Sequence, residues 1–73
     1  MAPQVRAREV IRALERAEWY VDRQRGSHVI LRRLHGPGQV VVPVHGGRTL
    51  RSATLHFILK QANLTEEQLR ELL

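Results

Sequence analysis

Two turn signals near the middle of the chain, Arg25-Gly26-Ser27-His28 and His35-Gly36-Pro37-Gly38, divide it into segments too short for helices and the right length for strands. Gly26 lets the backbone reverse with positive φ at no steric penalty. The β-branched apolar run Val29-Ile30-Leu31 that follows has the composition of a buried strand, which extends to about Leu34. Before the first turn, Glu18-Trp19-Tyr20-Val21-Asp22-Arg23-Gln24 alternates, with Trp19 and Val21 on one side against Tyr20, Asp22 and Gln24. Trp19 on such a strand reads as core rather than as a base-stacking platform. After the second turn, Gln39-Val40-Val41-Val42 forms a third strand, and Pro43, which cannot donate to a ladder, ends it or lies on its free edge. Connections this short join antiparallel neighbours, so the three strands form a meander, which Val44-His45-Gly46-Gly47 leaves.

The flanks have a different period. From about Arg6 to Ala17, the residues Ala7, Val10, Ile11, Leu14 and Ala17 recur at helical spacing, with Pro3 before or at the first turn. From Ser52, read as an N-cap, Leu55, Ile58, Leu59 and Ala62 recur at i, i+3, i+4, i+7, and Asn63 suits a left-handed C-cap. Thr65-Glu66-Glu67-Gln68 has the spacing of a capping box, with Leu64 and Leu69 placed as a hydrophobic staple, and opens a short third helix. The chain therefore reads as α+β: a helix, a three-stranded antiparallel sheet, a helix and a short C-terminal helix, with the helices on one face. At 73 residues it is a single domain, 1–73, near the lower size for a self-sufficient core. With no cysteine it has neither a disulfide framework nor a Cys-based metal site, and a cytoplasmic setting is the default. The longest apolar run, Val40 to Val44, contains Pro43, so nothing is expected to cross a membrane.

The net charge of +5 matters less than its placement. All seven carboxylates lie at Glu9, Glu15, Glu18, Asp22, Glu66, Glu67 and Glu71. Between Arg23 and Thr65 the chain carries Arg23, Arg25, Arg32, Arg33, Arg48, Arg51, Lys60 and all four histidines, with no acid. Faces kept only for solubility mix both signs, so this distribution favours a polyanionic partner. It also excludes two-metal nuclease chemistry, which needs clustered carboxylates.

His28 is the candidate for chemistry. It sits at the mouth of a strand, on a rigid element beside a turn, which suits a group that transfers protons near neutral pH. The plainer alternative is a half-buried histidine that merely ends the strand. His45 marks a second strand end, whereas His35 and His56 have no matching placement. The irregular spacing of the histidines, with no acids nearby, argues against a metal site, and no cofactor is implied.

Four segments carry a family resemblance: Glu9-Val10-Ile11 with Leu14, Arg23-Gln24-Arg25-Gly26-Ser27-His28, Val42-Pro43-Val44-His45, and Thr54-Leu55 with Ile58-Leu59-Lys60-Gln61-Ala62. In this order they resemble the HicA (YcfA-like) toxins of bacterial toxin-antitoxin pairs. The resemblance implies a fold like a double-stranded-RNA-binding domain, a ribonuclease acting on mRNA, a histidine at the position of His28 that toxicity requires, and a HicB-like antitoxin as partner. The chain departs from the family pattern at Glu18, Ala53 and Asn63, where glycine is usual, and at Leu31, often aromatic. Ala53 adds a methyl where backbone would approach a phosphate.

A metal-independent mechanism fits both lines of reading, in which RNA is cut by its own 2′-hydroxyl with His28 as general base or acid. Arg25, Arg32 or Lys60 would steady the phosphorane, and Ser27 lies within the same RNA-binding element. His45 is the candidate second proton carrier, with a bracing role for the loop as its alternative. Phe57, two residues past Leu55, falls opposite the apolar stripe and is the candidate partner anchor. The competing reading is a non-catalytic module that recognises double-stranded RNA by shape, against which stands the single cation, Lys60, along the second helix. A pure interaction domain is the third. The oligomeric state is open.

Overall fold

The computed structural model describes residues 4–73, so Pro3 lies outside the described residues. The elements are α1 (Ala7–Arg16), β1 (Trp19–Arg25), β2 (His28–Arg33), β3 (Gln39–Pro43), α2 (Ser52–Ala62) and α3 (Glu66–Leu72). The strands form an open antiparallel sheet in the order β1-β2-β3, and the expected α+β arrangement is observed. Its inner face contributes Trp19, Val29, Leu31, Val40 and Val42 to one core with Ala7, Val10, Ala13 and Leu14 of α1, Leu55, Ile58, Leu59 and Ala62 of α2, and Leu69 of α3.

Local chemistry accounts for most element ends. The Arg6 N–H donates to the Glu9 carboxylate at 2.9 Å, which substitutes for the missing Ser, Thr, Asp or Asn cap of α1. At its other end the chain must turn from helix into strand within two residues, and Glu18 takes φ 70 to do so. The Glu18 carbonyl then accepts from Leu34 N–H at 2.9 Å, so the strained residue is tied to the far end of β2. Asn63 adopts the left-handed conformation expected of it (φ 57, ψ 44). Thr65 and Gln68 exchange their capping-box bonds at 3.0 and 2.9 Å.

Two expectations are corrected. Ser52 is not the N-cap of α2. It is the first helical residue, after Arg51, and makes no side-chain capping bond. The reason is tertiary: Leu50 N–H donates to the Val5 carbonyl at 2.8 Å and Thr49 bridges to Arg6, which holds the incoming chain extended up to Arg51. The simple alternation of β1 also fails. Val21 pairs with Leu31 but Arg23 pairs with Ile30, so Asp22 is the extra residue of a β-bulge. Beyond it the faces exchange, and Gln24, opposite Val29, joins the helix side instead of Tyr20. Arg23 and Arg25 move to the outer face.

Candidate functional site

The outer face of the sheet is built from the residues that the pleat turns away from the core. In β2 these are His28, Ile30 and Arg32, because Val29 and Leu31 are buried on the inner side. The register places Arg25 opposite His28 on one flank and Pro43 opposite it on the other. Arg23 and Val41 flank Ile30 in the same way. His28 itself is exposed rather than half-buried. The Ser27 carbonyl accepts from Val44 N–H at 2.6 Å and pins the mouth of β2 to the loop that follows β3.

Helix α2 supplies the wall. It runs beside the free edge of β3, where Val41 N–H donates to the Gln61 side-chain oxygen at 3.4 Å, so the edge is not open for pairing with another strand. The first turns of the helix overhang the outer face. His28, Val41 and Pro43 from the sheet, with Ala53, Thr54, Phe57 and Ile58 from α2, line one open recess of about 410 Å³. Phe57 is 60% exposed, as expected from its place on the helix, but it belongs to the same recess as His28. Helical period alone does not reveal that neighbourhood, since it depends on which edge α2 packs along.

A second recess, of about 380 Å³, adjoins the first and shares Pro43 and Thr54 with it. Its other lining residues are His45, Arg48, Thr49, Leu50 and Arg51. His45 therefore lies beyond the end of β3 and next to the His28 recess, without lining it. Of the residues expected at the site, Lys60 lies one helical turn past Phe57, exposed, and does not line the His28 recess. His35 is at the opposite end of the sheet, near Glu18 and Arg33, and His56 is exposed on α2.

The cations divide into used and unused groups. Arg32 Nε donates to the Asp22 carboxylate at 3.2 Å. The acid-free segment of the sequence is thus not acid-free in space, because the bulge turns Asp22 onto the same face. The Arg33 guanidinium stacks over Trp19, 4.9 Å from the ring centroid, and its Nε has no hydrogen-bond partner among the described residues. Arg23, Arg25, Arg48, Arg51 and Lys60 make no ion pair among the described residues. No cluster of three or more His, Cys, Asp or Glu suited to a metal occurs among the described residues, and none of their helices is long and apolar enough to cross a membrane.

Sequence reasoning missed Arg23, Arg48, Arg51, Thr54 and Pro43 as neighbours of the site. The signal for Pro43 was present in its position at the end of the strand paired with β2. For Arg23 there was none, because nothing local announces the bulge.

An open antiparallel sheet backed by helices, with a histidine and unpaired arginines on its outer face, defines a small basic α+β domain suited to a polyanion. A family model described as HicA toxin of bacterial toxin-antitoxin matches residues 7–64, and the chain belongs to the HicA toxin family. It is accordingly a toxin of a toxin-antitoxin system, a membership that implies an antitoxin partner and RNA as the target class. The matched region runs from α1 through the cap of α2 and contains both recesses, while α3 lies beyond it. No curated protein matches the chain.

Proposed function

We propose that the protein is a metal-independent endoribonuclease, an mRNA interferase of the cytoplasm, in which His28 transfers the proton when the RNA 2′-hydroxyl attacks the adjacent phosphate. The observation that carries this reading is the pairing of an exposed His28 with Arg25 directly across the ladder, beside a recess walled by α2. The reaction needs a proton acceptor at the 2′-oxygen, a proton donor at the departing 5′-oxygen, and cations at the developing phosphorane charge. His28 supplies one of the first two. Arg25 supplies the charge in preference to Arg32, which Asp22 already engages, and to Lys60, because Arg25 alone of the three pairs directly with His28 across the ladder. Ser27 sets the position of the turn through its carbonyl. His45, in the adjoining recess, is the second proton carrier.

The partner is a HicB-like antitoxin anchored on Phe57. Because Phe57 and His28 line one recess, a chain seated on the aromatic ring covers the imidazole, and inhibition follows from occlusion alone. Incubation of defined single- and double-stranded RNA with the pure protein in EDTA, read on a gel, tests the activity. Cleavage should persist in EDTA and leave 5′ fragments ending in a 2′,3′-cyclic phosphate or its hydrolysis product. Binding of double-stranded RNA with no cut under any condition would favour the non-catalytic module instead.

A further inference from the structure

We propose that Arg48 and Arg51, in the recess they line with Thr49 and Thr54, form a second phosphate subsite, holding the backbone phosphate that neighbours the one cleaved at His28. This rests on the reading of His28 as the cleavage site. Two arginines line one hollow, and neither has an acidic partner among the described residues. An arginine presents a planar fork of donors that matches phosphate oxygens, and Thr49 and Thr54, which also line the hollow, each carry a hydroxyl able to donate.

The hollow is also held in place. Arg48 N–H donates to the His45 carbonyl at 3.3 Å, Thr49 bridges to Arg6, and Leu50 N–H donates to the Val5 carbonyl at 2.8 Å. The segment carrying the arginines is thus fastened to the chain entering α1 at two successive residues, so less ordering is left to be done on binding. Its position selects the ligand. Pro43 and Thr54 form a wall common to this hollow and the His28 recess, so a strand whose reacting phosphate lies at His28 continues into it with its next phosphate. The other cationic patch, Arg8 and Arg12 with Arg6, lies against Val44, Gly46 and Gly47 and has Glu9 among its lining residues, so it lacks both the continuity and the uniform sign.

The consequence is a minimum substrate. A dinucleoside monophosphate has one phosphate and fills only the His28 recess, whereas a trinucleotide with two internal phosphates fills both. The test uses uncleavable 2′-deoxy ligands of these two lengths, titrated against the full chain by NMR at low and moderate salt. Replacing both arginines (Arg48→Gln with Arg51→Gln) should weaken the two-phosphate ligand by about tenfold or more. The one-phosphate ligand should bind as before. The slope of log K against log salt for the two-phosphate ligand should fall by about 0.7, the share of one phosphate contact on a single strand. The charge-preserving double lysine variant should recover most of the loss. Equal losses for the two ligands would place the arginines at the reacting phosphate and overturn the separate subsite, as would no loss for either. Because the ligands cannot be cut, a wild type that fails to cleave RNA leaves this readout intact, and the two proposals fail separately.

Discussion

At one end of β2, Arg33 lies over Trp19, with Gly38 closing the stack from the far side of the loop. At the other end, His28 faces Arg25 across the ladder and opens on a recess. Both ends present cationic or titratable side chains from the same strand, six residues long, and each adjoins a glycine-containing turn. They differ in what the neighbouring elements do with that charge. Trp19 is 4% exposed and gives Arg33 a face to stack on, so the arginine serves packing. Around His28 the neighbours are Pro43, Thr54 and Phe57, which shape a cavity wall but supply no acid to neutralise Arg25. Charge consumed by packing belongs to stability, and charge left unpaired at a recess is available to a ligand.

The comparison is broken most severely by His28→Ala. At the open end the side chain makes no hydrogen bond that folding depends on, so the substitution should reduce RNA cleavage by about 10²- to 10⁴-fold while the thermal melt is unchanged. If His28 instead held the strand end, stability would fall by about 1 to 3 kcal/mol together with activity. Cleavage at the wild-type rate by folded variant would end the catalytic assignment. Phe57→Ala should come next, weakening antitoxin binding by a factor on the order of 30, the loss typical of a buried aromatic anchor, with the fold intact. An unchanged affinity by calorimetry would move the interface elsewhere.

Changes at the packed end should have the opposite signature. Gly38 has φ 141, and a Cβ there would sit 3.1 Å from Arg33 Nε and 3.2 Å from Trp19 Cη2. Gly38→Ala should therefore destabilise the protein by about 1 to 3 kcal/mol, from backbone strain and from crowding of the stack. RNA cleavage per folded molecule should stay at the wild-type level. A drop in specific activity would mean that the two ends of β2 are coupled. The smallest effect is expected at Glu18, whose φ of 70 is relieved by glycine. Glu18→Gly should stabilise by about 1 kcal/mol and raise the melting temperature by about 4 to 8 °C for a domain of this size. A lower melting temperature would show that the Glu18 side chain contributes more than its backbone strain removes.

Signals a few residues long decided the order and type of every element. Gly26 and the Gly36-Pro37-Gly38 loop cut the strands, the apolar spacing of Val10 and Leu14 and of Leu55, Ile58 and Ala62 gave the helices, and Thr65 with Gln68 opened α3. The left-handed Asn63 was legible as a C-cap residue, and the left-handed Glu18 stands where the resembled family usually has glycine. The proposed site also starts from residues visible in the chain, the histidine at the strand mouth and Arg25 beside it. Its assembly was not visible there. The bulge at Asp22 brings Arg23 and Arg25 to the face of His28 and pairs Asp22 with Arg32, and it exists only in the register between β1 and β2. The start of α2 at Ser52 is set by bonds from Thr49 and Leu50 to residues more than forty positions earlier. Phe57 reaches the His28 recess because α2 packs along the edge of β3. Register, edge and long-range bonds join residues far apart in the chain, so only the folded molecule fixed which of its charges pair and which face a ligand.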